Sequence, residues 1–150
     1  MRAHAEASFV TGLLGQVDLT TGVLGLVNAG HVPPHLIRDA AIAPVELPVD
    51  LPFGLNADRR YRLTEVQLEP GDRLVIVTDG MLERRAAALP LIELLDRTRT
   101  LHPREATRQL ADAVLATAGP ELADDATILI LDWHGQHDRQ RDSRAGADRR

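Results

Sequence analysis

A chain of 150 residues is long enough to bury one real core, and 44% hydrophobic with 26% charged residues is an ordinary globular composition. The net charge of −5 removes the electrostatic case for nucleic acid or an anionic membrane as the main partner. The absence of cysteine excludes disulfides, thiolate zinc sites and cysteine nucleophiles.

The start, Met1-Arg2-Ala3-His4-Ala5-Glu6, lacks a signal-peptide core, and positions 1–7 read as a flexible lead-in. A strand over Phe9–Leu19, the turn Thr20-Thr21-Gly22 and a returning strand Val23–Asn28 have the spacing of a β-hairpin, with Asp18 as a turn residue. Pro33 and Pro34 break the ladder after Ala29-Gly30-His31-Val32, and a third strand follows at His35–Arg38. Pro44 and Pro48 leave room for a short edge strand around Val45-Glu46-Leu47, and Leu51-Pro52-Phe53-Gly54-Leu55 is a loop with apolar anchors. Tyr61–Leu68 alternates in part, and Glu69-Pro70-Gly71-Asp72 is a turn signal before the buried run Leu74–Thr78.

The second half changes character. Leu91, Leu94 and Leu95 give a helix within Glu83–Thr98, where Glu83 pairs with Arg84 or Arg85. His102-Pro103-Arg104-Glu105 opens a second helix with Pro103 in its first turn. Its core face is Ala106, Leu110, Ala113, Val114 and Thr117, and Gly119-Pro120 ends it. The last strand is Ala126–Trp133, and the polar stretch 134–150 reads as a disordered tail. No apolar run reaches membrane-spanning length, which makes the cytoplasm the expected location. Strands first and helices later suggest an α+β architecture.

Two acidic strand ends carry the chemistry. Leu74-Val75-Ile76-Val77 leads into Thr78-Asp79-Gly80, and Asp124-Asp125-Ala126-Thr127 leads into Ile128-Leu129-Ile130-Leu131. Unbroken branched apolar runs predict strands buried on both faces. Carboxylates at the mouths of such strands are costly to desolvate unless a cation or donors meet them. Oxygen ligands without cysteine suit Mg²⁺ or Mn²⁺. Taken alone, an Asp-Gly pair is more often a plain turn, and Asp124-Asp125 could equally be a solvated loop. His31 beside two prolines reads more often as a turn-fixing residue. The prolines preclude a helical zinc pair of His31 with His35, and Asn28 reads as a hydrogen-bonding residue at the strand end.

Five segments then occur in a familiar order: Asn28-Ala29-Gly30-His31-Val32-Pro33-Pro34, Leu51-Pro52-Phe53-Gly54-Leu55, Leu68-Glu69-Pro70-Gly71-Asp72, Thr78-Asp79-Gly80-Met81-Leu82-Glu83 and Asp124-Asp125-Ala126-Thr127. Together they resemble the C-terminal portion of a bacterial metal-dependent Ser/Thr protein phosphatase (PPM type) of the SpoIIE/RsbU-like branch, over residues 8–133. The resemblance implies an α-β-β-α sandwich of antiparallel sheets flanked by helices, with the N-terminal part of the domain missing. It also implies a binuclear Mn²⁺ or Mg²⁺ centre that lowers the pKa of a bound water for attack on phosphoserine or phosphothreonine.

By the same resemblance Asp79 and Asp124 match metal ligands, and Asp125 supports the turn behind them. His31 is a candidate third-site or phosphate-facing residue, and Gly80 matches the small residue that lets the backbone approach. The implied substrates are phosphorylated regulators of the anti-sigma antagonist type. An early Gly-Asp segment that bridges both metals in the family has no counterpart here, since the sole Gly-Asp is Gly71-Asp72, which matches a structural motif. Weak metal binding, little activity and self-association through uncovered sheet edges are therefore expected. Two other readings remain: a non-catalytic regulatory interaction module derived from such a phosphatase, and a Mg²⁺-dependent phosphohydrolase acting on small molecules.

Overall fold

The computed structural model describes residues 9–55, 60–79, 90–118 and 126–135. The expectations for the start, for Gly80, Glu83, Asp124 and Asp125, for the Gly119-Pro120 helix end and for the tail beyond 135 lie outside the described residues.

The first hairpin joins β1 (Gly12–Val17) to β2 (Val23–Ala29), paired from Gly12 opposite Ala29 to Val17 opposite Leu24. Its turn is closed locally. Asp18 Oδ1 accepts from the N–H of Thr20 at 2.7 Å, and the Gly22 N–H donates to the Asp18 carbonyl at 2.7 Å. Donors around the carboxyl, the Thr20 backbone foremost, hold Asp18 below its ordinary pKa. Gly22 turns with φ +76°, and a side chain there would press on the ring of Trp133.

β3 (His35–Arg38) has the expected bounds, but its partner does not. The edge strand is β4 (Ala41–Pro44), joined to β3 by the two-residue turn Asp39-Ala40. Val45 and Leu47 instead fill the space between the sheets. Val45 follows the last ladder pair of β4 and donates its N–H to the Pro34 carbonyl at 2.8 Å, and Pro48 has no N–H to extend the ladder. Asp39 and Ala40 have φ of 47° and 67°, the pattern of a type I′ turn that favours Asn-Gly. An alanine in this left-handed region is strained by roughly 1–2 kcal/mol. Replacing Ala40 with glycine should therefore raise stability by about 0.5–1 kcal/mol in urea denaturation, after glycine's extra unfolded-state entropy is deducted.

β2 pairs on its other side with two short strands laid end to end. These are β5 (Val49–Asp50), parallel to it, and β6 (Thr64–Gln67), antiparallel. The second sheet runs β4-β3-β7-β8, with β7 (Arg73–Val77) inside it and β8 (Ile128–Asp132) at the edge. α1 (Leu91–Thr98) and α2 (Pro103–Ala118) pack on this sheet, with Pro103 in the first turn as expected.

Alternation along β7 builds two cores. Leu74 and Ile76 face the first sheet with Leu24, Leu26 and Leu68. Val75 and Val77 face Leu95 of α1 and Leu110 and Val114 of α2. The layers are thus sheet, sheet and helices, an α+β arrangement of mixed sheets. The first sheet is not wholly antiparallel, since β5 runs parallel to β2. Its outer face leaves Leu14 and Leu63 each more than 60% exposed, with Gly25 against Leu63.

β7 is buried on both faces, as its apolar run predicts. β8 is not: Leu129 is 50% exposed. The run Ile128–Leu131 looks alike in sequence, but an edge strand has a neighbour on one side only.

His35 starts β3 half-buried, and its Nδ1 is buried without a hydrogen-bond partner among the described residues. Burial lowers its pKa below the ordinary 6.5. The unfolded chain then binds a proton that the folded chain resists. Stability is intact above pH 6.5 and falls as pH drops from there toward the lowered folded value. His35→Leu should flatten that decline in urea melts between about pH 7 and pH 5. It should also gain up to about 1 kcal/mol at neutral pH by removing the unpaired nitrogen.

Candidate metal site at the rim of the sandwich

A cavity of about 380 Å³ opens between the two sheets at one end. Gly12 and Leu13 of β1 and the Gly30-His31-Val32 turn after β2 form the side contributed by the first sheet. Ile76, Thr78 and Asp79 at the end of β7, with Thr127 and Leu129 at the start of β8, form the other. Two of the candidate residues, His31 and Asp79, are therefore brought together from distant parts of the sequence.

The turn that presents His31 is tightly fixed. Asn28, 1% exposed, accepts from the His31 N–H at 2.7 Å through Oδ1 and donates to the His31 carbonyl at 2.9 Å through Nδ2. Gly30 sits at φ +75°, and a Cβ there would meet Pro52 Cγ at 3.2 Å and Thr11 Cγ2 at 3.3 Å. Pro52 is held in turn by Phe53, whose N–H and carbonyl pair with Val10 at 2.8 and 2.9 Å. The apolar-anchor loop thus acts as a brace behind the His31 turn. Only Pro52 and Phe53 serve in it, since Leu51 and Leu55 are each 44% exposed.

The two strand ends on the opposite wall are tied past the last ladder pair. The Thr78 N–H donates to the Thr127 carbonyl at 3.1 Å, and the Thr127 N–H donates to Thr78 Oγ1 at 2.8 Å. Asp79 follows Thr78 directly and is exposed at the cavity mouth. Thr127, which lines this rim, follows Asp124-Asp125-Ala126 in the sequence. The sequence reading missed Thr11, Gly12 and the Thr78–Thr127 clip. Two threonines flanking acidic motifs were the available signal for the clip, and nothing marks Thr11.

Asp72, the carboxylate of the sole Gly-Asp pair, is engaged elsewhere. It is 2% exposed and accepts from Arg38 Nε at 2.9 Å, Arg38 Nη2 at 2.6 Å and the Glu69 N–H at 2.8 Å. The bond to Asp72 raises the Arg38 pKa above its ordinary value. Asp72 is a structural residue, as its motif implies.

The cavity offers a carboxylate, threonine oxygens and one imidazole. Among the described residues no three His, Cys, Asp or Glu side chains form a cluster able to hold a metal. The donors present fit a hard divalent ion that keeps several waters, the habit of Mg²⁺ and Mn²⁺ sites with few protein carboxylates.

Residues 1–134 match the family of Stage II sporulation protein E (SpoIIE). The chain belongs to the SpoIIE family. It is 25% identical over 116 residues to Protein IcfG of Synechocystis sp., covering 77% of this chain and 18% of that protein. The fold is similar to the phosphatase domain of the cell fate determinant SpoIIE from Bacillus subtilis, solved from manganese-presoaked material. That match has a TM-score of 0.67 at 20% identity and covers 85% of this chain and 57% of that one. It is equally similar to the RsbU and RsbW domains of a Mycobacterium tuberculosis protein, with a TM-score of 0.67, 25% identity and coverage of 85% and 37%. This SpoIIE-family chain thus spans a little over half of the B. subtilis phosphatase-domain structure and under a fifth of IcfG. No helix among its described residues is long and apolar enough to cross a membrane.

Proposed function

We propose that the chain is the C-terminal portion of a metal-dependent protein serine/threonine phosphatase domain, occupying residues 8–133, with Asp79 and Asp124 as ligands of a Mn²⁺ or Mg²⁺ centre. The observation that carries this is the rim cavity. Asp79 lies at its mouth, and the Thr78–Thr127 clip holds β7 beside the strand entered through Asp124-Asp125. Ions held there would supply activated water for attack on a phosphate ester. The chain's own part is to hold the cation through Asp79 and Asp124 and to keep the facing wall rigid through the Asn28-braced turn. Asp125 and Gly80 complete the acidic ends by supporting the turn and by letting the backbone approach.

The substrates are phosphorylated regulatory proteins of the anti-sigma antagonist type, met in the cytoplasm. Support for this comes from family membership and from the likeness to an RsbU domain. Within these 150 residues a bridging Gly-Asp aspartate is lacking, so metal affinity is weak and turnover low. Among the described residues Leu14 and Leu63 are exposed on the outer face of the first sheet, which together with its open edges favours self-association of the chain, read directly by sedimentation velocity.

The test is Mn²⁺ titration calorimetry combined with hydrolysis of a phosphoserine peptide and of a small phosphate ester. Weak Mn²⁺ binding with slow, metal-dependent release of phosphate from the peptide is expected. Binding with no turnover on either substrate would favour the non-catalytic interaction module, and turnover confined to the small ester would favour the small-molecule hydrolase.

A further inference from the structure

The Nδ1 atom of His31 lies 2.8 Å from the Val32 carbonyl oxygen. A carbonyl oxygen can only accept, so Nδ1 carries the proton and donates. In the neutral ring the lone pair then belongs to Nε2. A nitrogen with a lone pair cannot donate to a phosphate oxygen, but it can bind a cation. An imidazole whose other nitrogen donates to a backbone carbonyl is the usual arrangement of a metal-ligating histidine, because that bond fixes the tautomer and the ring orientation.

The backbone beneath the ring is also fixed beforehand. Asn28 bonds both the N–H and the carbonyl of His31 while almost wholly buried. Gly30 takes a left-handed conformation in which a Cβ would crowd Pro52 and Thr11. A surface loop would not need a buried amide committed twice to one residue. His31 shares its cavity with Asp79, from the opposite sheet.

From this geometry we infer that His31 Nε2 is a nitrogen ligand to the divalent ion at the rim, and that Asn28 is the residue that positions it. The inference rests on the proposed metal centre and adds a ligand of a different kind. Imidazole favours transition metals over Mg²⁺, whereas carboxylates and waters accept either. The site therefore prefers Mn²⁺ to Mg²⁺, and the preference resides in His31.

Electron spin-echo spectroscopy of the whole chain loaded with Mn²⁺ tests this without reference to turnover. The expected result is a nitrogen modulation of imidazole type, lost in His31→Gln. The Mn²⁺-over-Mg²⁺ affinity ratio should fall by about tenfold in that variant. Asn28→Ala should weaken Mn²⁺ binding by about 10–100-fold, the usual effect of removing a group that orients a ligand. Bound Mn²⁺ without nitrogen modulation in the unsubstituted chain would overturn the inference, whatever the fate of the variants. So would modulation that persists in His31→Gln. If Asp79→Asn weakens Mn²⁺ binding while no nitrogen modulation is seen, the role of His31 fails and the phosphatase reading stands. Nitrogen modulation without phosphopeptide hydrolysis supports the ligand and counts against the catalytic reading.

Discussion

Arg73→Met should lower the stability of the chain by about 3–5 kcal/mol, a large part of the roughly 5–15 kcal/mol that holds an average domain. Arg73 is 6% exposed and forks onto Asp132, with Nε to Oδ1 at 2.6 Å and Nη2 to Oδ2 at 2.7 Å. The same guanidinium reaches the carbonyls of Thr98 and Leu101, at 3.0 and 2.7 Å, where α1 ends. One side chain thus ties β7, the edge strand and the connection between the helices. Methionine would fill much of the volume but leave a carboxylate and two carbonyls without this partner, and that orphaning dominates the loss. Urea denaturation should show the midpoint falling with little change in slope. Arg73→Lys should recover only part, because an ammonium cannot make the planar fork. Pairing Arg73→Met with Asp132→Leu should recover the part due to the stranded carboxylate, while the Thr98 and Leu101 carbonyls still lack this donor. A loss below about 1 kcal/mol for Arg73→Met alone would show that water satisfies the orphaned groups.

The second large effect concerns the ion. Asp79→Asn keeps the shape of the side chain and removes its charge. Affinity of hard cations follows the number and charge of oxygen ligands. Mn²⁺ binding should therefore weaken by about tenfold or more, read by the free Mn²⁺ signal in electron paramagnetic resonance and compared at equal folded fraction. Asp72→Asn is the matched control. It lies at the other end of β7, about 20 Å away at strand rise, and is committed to Arg38. That change should reduce stability and leave Mn²⁺ affinity unaltered. Equal metal affinity in Asp79→Asn and the unsubstituted chain would remove Asp79 from the site.

Much of the architecture could be read from local pattern. The Leu74–Val77 run showed a strand with both faces covered, and it is the strand shared by the two cores. Ala106, Leu110 and Val114 at helical spacing are all buried. Proline marked the ladder break after His31 and the first turn of α2. The errors have a common origin. Asp39-Ala40 makes a tight turn without the usual glycine, so local preference pointed to a later edge strand. β8 carries the same kind of apolar run as β7, and nothing within it tells an edge position from a central one.

What the chain determined by itself was the kind of chemistry on offer. Oxygen donors, no thiols and two acidic motifs beside apolar runs suit a hard cation, because ligand type depends on composition and needs no fold. Which donors meet was decided in three dimensions. Sheet pairing set Thr127 beside Thr78, and the packing of one sheet on the other set His31 across a cavity from Asp79. The role of Asn28 likewise depends on the folded turn, since the same Asn-Ala-Gly-His string in an open loop would leave the His31 backbone without the two bonds that fix it.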